Sequence, residues 1–153
     1  MLIRAWMILL VAVSIGCGSS KPAGPPLIPT EGIITLKDKP VAGATLFFHP
    51  EGKDGLTCAA NSDDSGKFVL WTNGKTGAAA GRYRVTVKSY TKKDGSPLVV
   101  TDEDRANGVD ADQLIAAGLA KLSVPPQYLN QHTTTLMVEV LPNGSPPLQI
   151  AMK

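Results

Sequence analysis

Gly81-Arg82-Tyr83-Arg84-Val85-Thr86-Val87-Lys88 alternates along its whole length, with Tyr83, Val85 and Val87 on one parity and Arg82, Arg84, Thr86 and Lys88 on the other. Successive side chains of a strand project to opposite faces, so this segment predicts a strand with one dry face and one wet face. A sheet of such strands must cover its apolar side with a second layer.

Six more segments repeat the pattern. Their inward candidates are Ile34 and Leu36, then Val41, Ala44, Leu46 and Phe48 with Gly43 at a bulge, then Leu56, Cys58 and Ala60. Phe68, Leu70 and Thr72 follow, and the last two strands offer Leu136, Val138 and Val140, then Leu148, Ile150 and Met152. Asp38-Lys39-Pro40, Asp63-Asp64-Ser65-Gly66, Asn73-Gly74 and Asn143-Gly144 carry the turn chemistry between them. The expectation is therefore an all-β, seven-stranded sandwich. With 153 residues, 15 Gly and 12 Pro, the chain holds one ordinary domain of short strands and tight turns, over residues 30–153.

Between Thr91 and Pro126 the alternation stops. Asp110 followed by Gln113 reads as a variant capping box, and Leu114, Ile115, Ala117, Leu119 and Leu122 recur at helical spacing, predicting a short helical insertion over 111–121. Phe47, Val69, Trp71 and Met137 fall on parities opposite to the core. They are expected to seat that helix or, failing that, to form an exposed patch.

The start of the chain reads as an export signal over residues 1–16. Arg4 is its only charge, Ala5 to Val13 form an apolar run too short to span a bilayer, and small residues follow. Val13-Ser14-Ile15-Gly16-Cys17-Gly18-Ser19-Ser20 resembles the lipobox of bacterial lipoproteins, although Ser14 stands where that family carries an aliphatic residue. The resemblance implies acylation of Cys17 and cleavage before it; a plain secretory leader cut nearby is the alternative. Residues 17–29, rich in Pro and Gly, read as a tether.

Little in the chain reads as catalysis. The two histidines, His49 and His132, are unaccompanied by HExxH, CxxC or a nucleophile elbow, so no cofactor is expected. Asn61, Asp63, Ser65 and Gly66 match the first positions of a calcium loop, but Thr72 replaces its bidentate Glu, and a polar hairpin turn is the favoured reading. With Cys17 lipidated, Cys58 has no disulfide partner, and its parity predicts a buried, inert thiol. Arg82, Arg84 and Lys88 are the candidate ligand-contact residues: one wet strand face that would meet an anionic glycan, a lipid head group or an acidic protein surface, or simply stay solvated. The net charge of +2, or +1 without Arg4, argues against a nucleic-acid partner.

Four segments, Lys39-Pro-Val-Ala-Gly-Ala-Thr-Leu-Phe-Phe-His-Pro50, Ser62-Asp-Asp-Ser-Gly-Lys-Phe68, Ala80-Gly-Arg-Tyr-Arg-Val-Thr-Val87 and Val124-Pro-Pro-Gln-Tyr128, together resemble the small bacterial lipoproteins with a carboxypeptidase regulatory-like, or transthyretin-like, domain. The resemblance covers nearly all of residues 30–153 and implies a Greek-key sandwich without catalysis. Asp38-Lys39 stands where that family often has Gly, which predicts a looser first hairpin. The expected function is a membrane-anchored envelope lipoprotein, not an enzyme, whose module binds envelope protein or glycan or serves a structural role. The alternative is an envelope enzyme or metal-binding protein using a loop metal site or the Cys58 thiol.

Overall fold

The computed structural model describes residues 24–52 and 55–153. The leader 1–16, the expected lipidation site Cys17 and the first part of the tether lie outside the described residues. In chain order the elements are β1 (Leu27–Ile28), β2 (Glu31–Leu36), β3 (Lys39–Pro40), β4 (Thr45–Pro50), β5 (Cys58–Asn61), β6 (Lys67–Val69), β7 (Trp71–Thr72), β8 (Lys75–Thr76), β9 (Ala78–Ala79) and β10 (Gly81–Lys88). They continue as β11 (Tyr90–Lys92), β12 (Pro97–Leu98), α1 (Asp102–Ala106), α2 (Ala111–Ala116), β13 (Ala120–Leu122), a 3-10 turn over Pro126–Leu129, β14 (Met137–Val140) and β15 (Leu148–Met152). The protein is mostly β.

The long alternating stretch Gly81–Lys88 is indeed a strand, β10, in a six-stranded sheet of order β14-β10-β4-β5-β7-β8. Val85 lies opposite Phe48 and Val87 opposite Leu46 in the antiparallel β10–β4 ladder. A second sheet forms around β2, which pairs in parallel with β15 along one edge and antiparallel with β6 and then β3 along the other. The two sheets share one core. Leu46, Phe48, Tyr83, Val85, Val87 and Val140 from the first meet Ile34, Phe68, Ile150 and Met152 from the second, all of them buried. Each such side chain contributes about 1.5–3 kcal/mol through the area it removes from water. Phe48 links the layers, its ring 5.9 Å from that of Phe68 and 6.5 Å from that of Tyr83 between centroids.

The segment read as one strand over Phe68 to Thr72 is two. β6 pairs with β2 in one sheet, Leu70 donates its N–H to Thr30 O, and β7 then pairs with β5 in the other sheet. The turn before it needs its glycine: Gly66 has φ +74°, and a Cβ there would lie 2.6 Å from Ile34 O.

Three expectations are corrected. Leu27–Ile28, assigned to the tether, pairs with Ala78–Ala79, so the folded body starts before residue 30. The helix does not run over 111–121: α2 ends at Ala116, Gly118 takes φ +67°, and Ala120–Leu122 becomes a strand. A left-handed glycine is a common helix stop, and the following apolar residues then find period-two partners in β11. Finally, the 91–126 segment is not merely a helical insertion but a three-stranded sheet, β12-β11-β13, with both helices inserted between β12 and β13.

This insertion is held locally. Asp94 Oδ1 accepts from Ser96 N and Oγ in the β11–β12 turn, Thr101 and Asp104 cap α1 reciprocally, and Asp110 Oδ1 accepts from Asp112 N at the start of α2. It returns to the body at Gly43, where a Cβ would sit 2.8 Å from Val99 Cγ2. No residue of α2 is fully buried, and Leu119 is exposed.

Candidate functional site

The outer face of the six-stranded sheet follows from its register. One row runs Thr86, Phe47, Ala59, Trp71 and Thr76; a second runs Lys88, Thr45 and Asn61; a third runs Met137, Arg84 and His49. Residues directly opposite on neighbouring strands share a face, so these rows form one surface.

Arg82 and Arg84 share one carboxylate partner at the surface. Glu51, just past the end of β4, places Oε1 3.0 Å from Arg84 Nη2 and Oε2 3.7 Å from Arg82 Nε, and its N–H donates to Arg82 O. Arg84 Nη1 also donates to Gln131 O at 3.5 Å. Thr86, on the parity read as wet, is buried, with His49 Nε2 3.1 Å from its hydroxyl. Lys88 is exposed and belongs to a separate region. Nothing in the sequence pointed to Glu51 as the neutralising partner, because it lies about 30 positions away from both arginines along the chain.

Lys88 lines a groove of about 850 Å³ between the sheet face and the insertion. Thr45, Phe47, Asn61 and Tyr90 face Val99, Thr101, Asp110 and Asp112 across it. Burial, and then the carboxylates of Asp112 and Asp110, push the Tyr90 phenol above its ordinary range. Of the four residues expected to seat the helix, only Phe47 faces the start of α2, and across an open groove; Val69, Trp71 and Met137 are exposed instead.

A second groove, of about 810 Å³, lies where the chain passes between sheets at β6 and β7. Glu31, Ile33, Lys67, Val69 and Gln149 contribute from one sheet's outer face, Asn61 and Trp71 from the other's. Trp71 is 51% exposed and Val69 40%. Asn61 lines both grooves.

The Asn61, Asp63 and Ser65 loop is a tight polar turn as expected, but it joins β5 of one sheet to β6 of the other and is not a hairpin. Asp63 Oδ1 accepts from Ser65 N at 2.8 Å, Ser65 Oγ at 2.7 Å and Lys67 N at 2.9 Å, and these bonds hold its carboxyl below the usual range. Asn61 Oδ1 accepts from Thr45 Oγ1. Among the described residues no group of three or more His, Cys, Asp or Glu could hold a metal ion, and no helix is long and apolar enough to cross a membrane.

Cys58 is buried. Its thiol donates to Leu56 O at 3.3 Å and lies 3.2 Å from Thr72 Oγ1, which donates to Gly77 O. Burial, with Cys58 beside it, pushes the Tyr83 phenol well above its ordinary value. His49 is partly buried and its pKa is lowered by desolvation; His132 lies on an exposed turn with Gln131. The histidines, Cys58 and Asp63 are thus on separate parts of the fold, each with its own structural partner. No family model, curated protein or solved structure matches this chain.

Proposed function

We propose that the protein is a lipid-anchored module of the cell envelope that works by binding or as a structural part rather than by catalysis. The observation that carries this is Gly16-Cys17 at the end of a short apolar run, followed by a Pro/Gly-rich tether. Acyl chains on Cys17 would hold the protein at a membrane, and more than one chain is needed for a firm hold.

The non-catalytic part of the reading draws support from the chemistry just described. Cys58 is walled off from solvent, the Asp63 carboxylate serves its own turn, and Arg82 and Arg84 are bridged by Glu51. The finer architecture belongs to the same proposal: a seven-stranded Greek-key sandwich of the transthyretin-like, carboxypeptidase regulatory-like kind. Tyr83 supports it. Its hydroxyl donates to Ala79 O at 2.8 Å, four residues upstream and across a glycine, as in the tyrosine corner of Greek-key sandwiches.

The test is a Cys17→Ser variant. The wild-type protein is expected in the membrane fraction, with acyl groups on its intact mass, and the variant in the soluble fraction. A variant that stays in the membrane, beside a wild type with no acyl mass, overturns the anchor. Stoichiometric metal in the purified protein, or fast labelling of Cys58 without denaturant, would replace this reading with an envelope enzyme or metal-binding protein.

A further inference from the structure

We infer that the groove beside Trp71 is a binding site for a neutral, linear oligosaccharide, which continues from Trp71 over Asn61 toward Phe47 and Tyr90. This deepens the binding reading above and rests on it only for where the ligand is met.

The first observation is the indole. A Trp kept half in water on a sheet face, beside exposed Val69, forgoes the burial that normally stabilises so large an apolar side chain. The groove it borders has the size of small-ligand sites, which run to about 300–1,000 Å³.

The second observation is how polar and apolar groups are mixed. Protein-binding patches collect apolar residues at the centre, deplete Lys, Glu and Asp there and place charge on the rim. Here Glu31 sits directly opposite Val69, and Ile33 lies between Lys67 and Gln149 in one row. Polar and apolar groups therefore alternate at the spacing of single side chains, about 5 Å between strands. A sugar ring matches that grain: its C–H face packs on an indole, and its hydroxyl edge accepts hydrogen bonds from amide N–H groups and donates them to carboxylates. Among the described residues, the side chains of Glu31, Lys67 and Gln149 make no hydrogen bond to the protein, so they remain available to hydroxyls.

The third observation concerns charge and shape. Glu31 and Asp63 outnumber Lys67 in the lining, which disfavours an acidic glycan. Asn61 borders both grooves, and the small side chain of Ala59 is all that separates Trp71 from Phe47 in their row. Two strand spacings, about 10 Å, divide those two rings. Such a track suits a chain of sugars better than a single one.

The protein in detergent, carrying Trp6→Phe so that Trp71 is the sole tryptophan whether or not the leader has been removed, supplies its own reporter. The probes are the monomers, trimers and tetramers of glucose in α- and β-1,4 linkage, of xylose and of N-acetylglucosamine. At least one series is expected to shift Trp71 fluorescence saturably, with half-saturation near or below about 1 mM for the tetramer and weaker binding for the monomer. Trp71→Ala, followed by calorimetry, should weaken that binding at least tenfold and Gln149→Ala about threefold, while Met137→Ala, outside the grooves, leaves it unchanged. Three results overturn the inference: no response to any probe, binding that survives Trp71→Ala in a folded variant, or a photo-crosslinker at Val69 that captures a polypeptide in cells. None of these readouts depends on Cys17, so failure here is separate from failure of the anchor.

Discussion

β10 and α2 lie in the same chain and are organised by opposite means. β10 presents eight residues in unbroken alternation, pairs on both edges, and buries Tyr83, Val85 and Val87. α2 has six residues, no buried side chain, and a start fixed by Asp110 capping Asp112. The body is held by area removed from water, the insertion by local hydrogen bonds and caps. Where a period is long enough to bury a face, tertiary structure obeys it; where it is short, a single turn residue such as Gly118 decides where an element ends.

The largest expected effect separates the two regions directly. Leu46→Ala, opposite Val87 on the neighbouring strand, should lower unfolding free energy by about 2–5 kcal/mol, because the fully buried site cannot collapse around the lost methyls. Leu114→Ala in α2, where the side chain is only partly buried, should cost less, about 1 kcal/mol. Denaturant titration of both variants checks this. Equal losses would mean that the insertion packs as tightly as the body, and the contrast would fall.

How much of this could be read in advance follows the same division. The inward sets of β2, β4, β10 and β15, the burial of Cys58, and the outward parity of Val69 and Trp71 all follow from period two. Leu27–Ile28 pairing with Ala78–Ala79, and the sheet of β11, β12 and β13, could not be read, because strands of two or three residues carry no period. The candidate site was partly legible. Trp71 and Met137 stood out as apolar residues on the wrong parity. Arg82, Arg84 and Lys88 stand out by charge, but that Glu51 pairs with the first two, and that Lys88 lines a groove with residues 98–101 and 108–112, is not written in their spacing. Long-range partners of this kind leave no local spacing to find.

A smaller effect compares two turns of the same form. Asn73 and Gly74 take φ +49° and +78°, while Lys37 and Asp38 take φ +51° and +63° without a glycine. Two consecutive left-handed residues define the turn that suits a two-residue hairpin, and Asn-Gly is its preferred sequence. Asp38→Gly should therefore stabilise the protein by about 0.5 kcal/mol, the relief of strain being partly offset by greater unfolded-chain entropy. Gly74→Ala, with open space around it, should destabilise by about 1 kcal/mol through backbone strain alone. Thermal unfolding of both variants measures the pair, and a destabilised Asp38→Gly would show that the Asp38 side chain, not its backbone, holds the first hairpin.

The smallest effect is a dependence on pH that belongs to the outer face and not to the turns. Partial burial disfavours the His49 imidazolium, so its pKa lies below the ordinary 6.5 in the folded protein. As pH falls through that window the unfolded chain binds the proton first, and linkage makes the folded state progressively less stable between 6.5 and the lowered value. Asp63, Asp94 and Asp104 are also lowered, by hydrogen bonds within their own turns and caps, but their contribution is lost only as pH falls below the ordinary 3.8. The carboxylate effect therefore begins at a lower pH than the His49 effect does. Unfolding measured from about pH 7.5 to about pH 5 should therefore show a shallow slope that His49→Gln removes, leaving the steeper acid limb in place. If the slope survives in His49→Gln, some other group titrates on folding in that range, and burial of the His49 imidazole is not its source.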